Sequence, residues 1–129
     1  MIGSHGLVEV KKLHNRDQES LDDTLLRQHI CKGKSGNLTL NKNHSYYYQV
    51  QQQLLCSGRS WGDFAASDGN SIFIERVVYD ENFWSEKIQH LEKFYNNMIL
   101  LELAYPRIKH GLDRIGKAGI TYESLIAEY

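Results

Sequence analysis

The sequence predicts an α/β domain in which a mixed sheet is flanked by helices. Three observations carry this prediction. Residues 6–11 alternate apolar and polar side chains, residues 61–78 contain two strand-like runs around a turn, and several segments have apolar residues at helical spacing. Strands and helices in such an order pack as a sheet covered by helical layers.

The composition is that of one ordinary domain. The chain has 129 residues, of which 41% are hydrophobic and 24% charged, so it can form a core. Its net charge of -1 excludes a general basic field, and a nucleic-acid partner would need a local patch. The absence of a signal peptide and of a long apolar segment favours an intracellular protein, cytoplasmic or nuclear, with no membrane partner. Cys31 and Cys56 have no metal-site spacing and are expected to be free thiols.

The first half of the chain is predicted to contain two strands and a helix. Residues 6–11 form the first strand because their side chains alternate. Residues 21–31 have helical spacing of apolar residues and two aspartates in the first turn. Glycines then end this helix, and residues 37–40 are expected to be a short strand or an extended loop.

A second helix and a hairpin follow. Asn43 or Ser45 is the expected N-cap of a helix that continues to about Leu55. Residues 61–66 and 71–78 are predicted to be the two strands of the hairpin, since the second is rich in β-branched residues and a glycine turn separates them.

The longest predicted helix begins at Asp80-Glu81 and ends at about Leu103. Apolar residues recur in it at steps of three and four, which predicts a core-facing side. These residues are Trp84, Ile88, Leu91, Tyr95, Met98 and Leu101. The remaining residues, 105–129, are predicted to be a loosely attached tail because three glycines interrupt them.

The first candidate for chemistry is the tripeptide Glu9-Val10-Lys11. Residues two apart on a strand share a face, so the carboxylate and the ammonium would lie side by side. Glu9 and the main-chain carbonyl of Val10 could bind Mg²⁺ or Mn²⁺, and Lys11 could orient an attacking water near a phosphate. An exposed Glu/Lys pair on a strand is also common solvated surface, and the tripeptide alone leaves both interpretations open.

The second candidate is the helix that begins with three tyrosines. Tyr46, Gln49 and Gln53 would share one stripe of this helix, where amides can bind a phosphate, a metal-bound water or another side chain. A neighbouring stripe suited to core packing contains Tyr47, Val50 and Leu54. The alternative is a packing helix with exposed glutamines.

A local group of basic residues accompanies these two candidates in the sequence. Basic side chains at this density can contact DNA backbone phosphates, although they also serve as ordinary solvated charges. The group contains Lys11, Lys12, Arg16, Lys32, Lys34 and Lys42.

The order and spacing of these motifs resemble the YqaJ-type viral recombinase domain, which belongs with the lambda exonuclease branch of the PD-(D/E)xK nuclease superfamily. The resemblance covers roughly residues 6–104, and the tyrosine–glutamine block is its most specific part. The matching segments are Gly-Leu-Val-Glu-Val-Lys at 6–11, Tyr-Tyr-Tyr-Gln-Val-Gln at 46–51, Ile-Glu-Arg at 74–76 and Asp-Glu-x-Phe-Trp at 80–84.

The resemblance implies a restriction endonuclease-like core and Mg²⁺-dependent cleavage of DNA at double-stranded ends. Glu9 resembles the metal-binding acid of this family and Lys11 its catalytic lysine. Gln49 resembles the glutamine that supports the active site from the following helix, and Tyr46 the tyrosine before it. Enzymes of this branch also form rings, so the resemblance implies that a homo-oligomer is one alternative for this chain.

One family feature does not occur in this sequence. The family places a metal-binding aspartate ten or more residues before the glutamate, and the eight residues before Glu9 contain no acid. We therefore expect residues 1–104 to be an N-terminally truncated YqaJ-type domain with deficient catalysis, since Mg²⁺ is held poorly by one carboxylate. The alternatives are a non-catalytic DNA-binding or interaction module on a degenerate nuclease fold, and a structural remnant without a ligand.

Overall fold

A computed structural model describes residues 5–104 and 106–113 in two units, Met1–Asp80 and Glu81–Tyr129. The first unit is α/β with a mixed three-stranded sheet, which confirms the predicted class. Its elements are β1 (Gly6–Lys12), α1 (Leu21–Arg27), β2 (Cys31–Lys34), β3 (Asn37–Leu40), α2 (Ser45–Ser57), β4 (Trp61–Ser67) and β5 (Ile72–Val78).

The three-stranded sheet has the order β1-β4-β5, with β1 parallel to β4 and β4 antiparallel to β5. A parallel pair needs a crossover, which here contains α1, the β2–β3 hairpin and α2. The register places Glu9 beside Phe64, and Phe64 beside Glu75. These three side chains therefore share one face of the sheet.

Helix α2 packs closely against this face. Val50 and Leu54 of α2 and Phe64 of β4 are completely buried. Gly62 makes this approach possible, because a Cβ at this position would lie 2.7 Å from Leu7 Cδ1 and 3.3 Å from Val50 Cγ1. A core that already contains the side chains of α2 and β1 thus leaves no room for one at Gly62.

Helix α1 is shorter than the sequence predicts. Ser20 caps its start in a capping box with Asp23, as the Ser20 side chain accepts from the Asp23 N–H. The predicted end at Cys31 is wrong, since the helix ends at Arg27 and His29 has a left-handed φ of 56°. Cys31 instead begins β2 and pairs with Leu40, so pairing within the short β2–β3 hairpin prevails over helical spacing.

The start of α2 also differs from the prediction. Its N-cap is His44, whose Nδ1 accepts a hydrogen bond of 3.1 Å from the backbone N–H of Tyr46. Residue type alone favours Asn43 or Ser45 as the cap, but in the structure the imidazole nitrogen of His44 takes this role. The helix ends at Gly58, which has a left-handed φ of 64°.

The second unit is helical and departs from one long regular helix. Helix α3 (Glu81–Phe94) continues as a π-helical segment (Tyr95–Ile99) and then as α4 (Leu100–Ala104), and a 3₁₀ turn follows at Arg107–His110. In the parts of the chain that the structure covers, no helix combines the length and apolar character needed to cross a membrane.

The predicted core-facing side of this helix is only partly buried. Trp84 is buried, with 7% of its surface exposed, but Ile88, Leu91 and Tyr95 are 40%, 50% and 47% exposed. Periodicity thus identified an apolar stripe but not its burial, because amphipathic spacing does not specify what covers it. The predicted boundary after residue 104 stays a prediction, and most of the predicted tail, residues 114–129, lies outside the described residues.

Candidate functional site

The carboxylate of Glu9 lies at the centre of a polar cluster between β1 and α2. Gln49 Nε2 donates to Glu9 Oε1 at 2.9 Å, and Gln53 Nε2 donates to Glu9 Oε2 at 2.7 Å. Lys11 Nζ lies 2.6 Å from Glu9 Oε1. The structure thus brings together the glutamate, the lysine and the glutamine that the sequence analysis selected. We call Glu9, Lys11, Gln49 and Gln53 the Glu9 cluster.

Two local periodicities produce this arrangement. On β1, Glu9 and Lys11 are two residues apart and point to the face that α2 covers. On α2, Gln49 and Gln53 are four residues apart and so lie on one stripe, one turn above the other. Parallel pairing of β1 with β4 then places the strand face opposite the helix stripe.

Tyr46 forms the aromatic side of the cluster. Lys11 Nζ lies 4.8 Å from the centroid of the Tyr46 ring, within the range of a cation–π contact. The ring also lies 5.7 Å from that of Phe64 and 4.7 Å from the imidazole of His44. Tyr46 therefore restricts the position of the lysine ammonium beside Glu9.

The environment keeps Glu9 ionised. Burial alone would raise its pKa, since only 15% of the side chain is exposed. Hydrogen bonds from Gln53, Lys11 and Gln49, together with the positive charge of Lys11, outweigh burial and lower the pKa below its usual value. Glu9 is thus a carboxylate at neutral pH, paired with a partly buried lysine.

The residues of the Glu9 cluster do not by themselves fit a magnesium ion. Mg²⁺ requires near-octahedral oxygen ligands, whereas the three neighbours of the Glu9 carboxylate are nitrogen donors. Within residues 5–104 and 106–113, no group of three or more metal-ligating side chains occurs. Glu75 lies on the same face beyond Phe64, about 10 Å away by strand spacing, and its Oε2 accepts from the Leu40 N–H at 2.6 Å.

The carbonyl of Val10 lies on the side of β1 away from β4. The N–H of Leu13 donates to the Ser67 carbonyl of β4 at 2.8 Å. The N–H and C=O groups of successive residues alternate in direction along a strand. Because the N–H of Leu13 points to β4, the N–H and C=O groups of Lys11 and Glu9 also point to β4. The N–H and C=O groups of Val10 therefore point to the opposite edge of β1. The side chain of Val10 is 64% exposed.

The remaining basic candidates are exposed and lie on separate elements of the first unit. Lys12 lies at the end of β1, and Arg16 lies in the following loop. Lys32 and Lys34 are two residues apart on β2. Lys42 lies just before α2, with its Nζ 3.6 Å from Asp80 Oδ2, so an acid offsets part of its charge.

No protein-family model, curated protein sequence or solved structure matches this chain. The resemblance to YqaJ-type domains therefore stays a proposal that rests on the chain's own residues.

Two residues gain importance from the structure. The helical spacing puts Gln53 on the stripe of Tyr46 and Gln49 without indicating a role for it, and the structure shows that Gln53 makes the shorter of the two amide contacts to Glu9. The spacing of four residues between Gln49 and Gln53 is the sequence feature that could have predicted this contact. Phe64, which contacts Tyr46 from β4, had no signal beyond its apolar character in a strand.

Proposed function

We propose that this chain carries the glutamate, lysine and glutamine part of a YqaJ-type nuclease site and that it binds DNA there. The observation that supports this is the Glu9 cluster itself. Residues from a strand and a helix separated by more than thirty positions converge on one carboxylate in the order that the family pattern implies.

The arrangement of strands supports a restriction endonuclease-like core. The strand with the glutamate and lysine pairs in parallel with β4, and the crossover between them includes the helix that supplies the glutamine. The mixed sheet then continues into the antiparallel strand β5, which contains the Ile-Glu-Arg segment of the resemblance.

Lys11 has the chemistry to bind a backbone phosphate. Its ammonium is a point charge that pairs with phosphate oxygens, and 22% of its side chain remains exposed. Glu9 and Tyr46 hold this ammonium from two sides, so its position is defined before DNA arrives.

We propose further that the described residues do not hydrolyse DNA. Glu9 and the Val10 carbonyl are the residues that would hold Mg²⁺ or Mn²⁺, and they would need a second carboxylate to do so. The Glu9 cluster contains no second carboxylate. The chemistry that the metal would supply in this family is activation of water for phosphodiester hydrolysis.

Two measurements test this proposal. Incubation of the chain with linear double-stranded DNA and Mg²⁺ or Mn²⁺ is expected to leave the DNA intact, and digestion that Glu9→Ala abolishes would contradict the expected deficiency. In a binding titration by fluorescence anisotropy, Lys11→Met is expected to weaken binding, whereas the exposed control Lys93→Met is expected to bind as the original chain does. Equal affinities would contradict a DNA site at Lys11.

A second candidate is a non-catalytic module that binds DNA through its outer surface. The observation that favours it is the engagement of Glu9 by three donors, which suits a structural ion pair as well. Salt-sensitive binding would then survive both Glu9→Ala and Lys11→Met and would weaken when Lys12 and Lys34 are changed together.

A further inference from the structure

A groove lies next to the Glu9 cluster, where α2 ends beside β1. It has a volume of about 360 Å³, within the range of small-molecule sites. Gln53 lines this groove and its Nε2 also donates to Glu9, so one side chain belongs to both the groove and the cluster. We call it the Arg59 groove; its lining residues are Leu7, Val8, Gln53, Cys56, Ser57 and Arg59.

A polar stripe along α2 leads from the cluster into the groove. Gln49, Gln53 and Ser57 are spaced by four residues, which places them on one side of the helix over about 12 Å. The helix ends at Gly58 in a left-handed conformation, and Arg59 follows directly. Its Nη1 lies 3.4 Å from the Gly6 carbonyl, which holds the guanidinium beside β1.

We propose that the Arg59 groove binds a nucleotide of the same DNA strand that contacts Lys11, with the Arg59 guanidinium bound to the phosphate of that nucleotide. This inference rests on the proposed DNA site. A guanidinium presents five N–H donors in a planar fork that matches phosphate oxygens. Lys11 and Arg59 then provide positive charge at the two ends of the polar stripe.

The lining of the groove fits the rest of a nucleotide. Leu7 and Val8 provide apolar surface for the sugar and base. On the helix side the Ser57 hydroxyl donates to the Gln53 carbonyl at 2.6 Å, which leaves its oxygen as an acceptor. The alternative occupant of this region is a protein strand that pairs with the edge of β1 opposite β4. The arginine, and the Gln53 side chain shared with the Glu9 cluster, favour the nucleotide.

Cys56 offers a direct reporter for this groove. It is exposed and lines the groove, whereas Cys31 is buried. Burial, followed by the negative charges of Glu75 and Asp22, raises the pKa of the Cys31 thiol to about 12, so this thiol stays protonated and unreactive. Alkylation of the native chain therefore reports on Cys56.

The test measures the rate of Cys56 alkylation with and without a short linear DNA duplex, with anisotropy recorded on the same samples. At a duplex concentration about ten times Kd, we expect alkylation to slow about tenfold. Arg59→Gln is expected to weaken duplex binding and reduce protection, and Arg59→Lys is expected to retain part of both. The matched control Arg107→Gln is expected to change neither.

Three other outcomes would overturn the inference, each in a distinct way. Binding without protection of Cys56 would leave the proposed DNA site in place and exclude the groove. Absence of binding would contradict the DNA site and the groove together. Slow alkylation before DNA is added would indicate that protein already covers the groove. If circular dichroism shows that Arg59→Gln does not fold, the inference is tested by duplex binding of Arg59→Lys and by the protection of Cys56 in the original chain.

Discussion

The ammonium of Lys11 lies over the ring of Tyr46, 4.8 Å from its centroid, while the same ammonium pairs with Glu9. A lysine side chain usually has considerable rotational freedom, which it loses when it forms an ion pair. The aromatic face limits that freedom in advance. The first tyrosine of α2 thus contributes to the site by positioning the lysine.

The contact between Lys11 and Tyr46 is testable by a double-mutant cycle. Tyr46→Leu and Lys11→Met are expected to be coupled by about 0.5–1 kcal/mol in the free energy of unfolding, the usual range for partly exposed cation–π pairs. Urea denaturation of the four proteins measures this coupling. Tyr46→Phe retains the ring and should preserve the stability, so an equal loss in Tyr46→Phe would argue against a cation–π contact.

Replacement of Glu9 should destabilise the first unit. In Glu9→Gln the charge of Lys11 loses its partner, and two glutamine amides face a neutral amide that accepts less well. Such losses at partly buried groups cost about 1–3 kcal/mol, measured as the free energy of unfolding in urea. Glu86→Gln is the matched control, since the Glu86 side chain is 77% exposed; equal effects of the two changes would contradict a cluster centred on Glu9.

Gln51 is expected to be the most sensitive glutamine of α2. It is completely buried, donates to the Val78 carbonyl at 2.8 Å and to Tyr47 Oη at 3.1 Å, and accepts from the Asp80 N–H at 3.0 Å. Gln51→Leu leaves these main-chain groups without that partner and should cost about 2 kcal/mol or more. The exposed neighbour gives a control on the same helix: Gln52→Ala should remain within about 0.5 kcal/mol of the original chain in thermal unfolding.

The stability of the chain should fall at acid pH. Hydrogen bonds from Arg27 and from the Arg16 main chain lower the pKa of Glu19 from its ordinary 4.5 to about 2. Because the folded pKa lies below the unfolded one, this contribution is complete above about pH 4.5 and is lost as the pH falls toward 2. Urea midpoints measured from pH 6 downward should decline less in Glu19→Gln than in the original chain, and parallel curves would contradict this assignment.

Local periodicity accounts for what the sequence predicted of the site. Alternation on β1 put Glu9 and Lys11 on one face, and helical spacing put Gln49 beside Gln53. Their meeting depends on the parallel pairing of β1 with β4, which no local pattern encodes. The error at Cys31 has a more local cause, because this residue pairs with Leu40 in the short β2–β3 hairpin.

The glycine at position 62 sets how far a glutamine must reach. Since Leu7 and Val50 occupy the space of its absent side chain, α2 lies close enough for a short neutral amide to span from helix backbone to strand carboxylate. We expect a larger residue there to displace the Leu7 and Val50 side chains and, where they cannot give way, to move α2 and lengthen the hydrogen bonds from Gln49 and Gln53. The pKa of Glu9 would then respond to a substitution on a neighbouring strand. The distance between helix and sheet thus bears on the protonation of Glu9 as well as on the packing of the core.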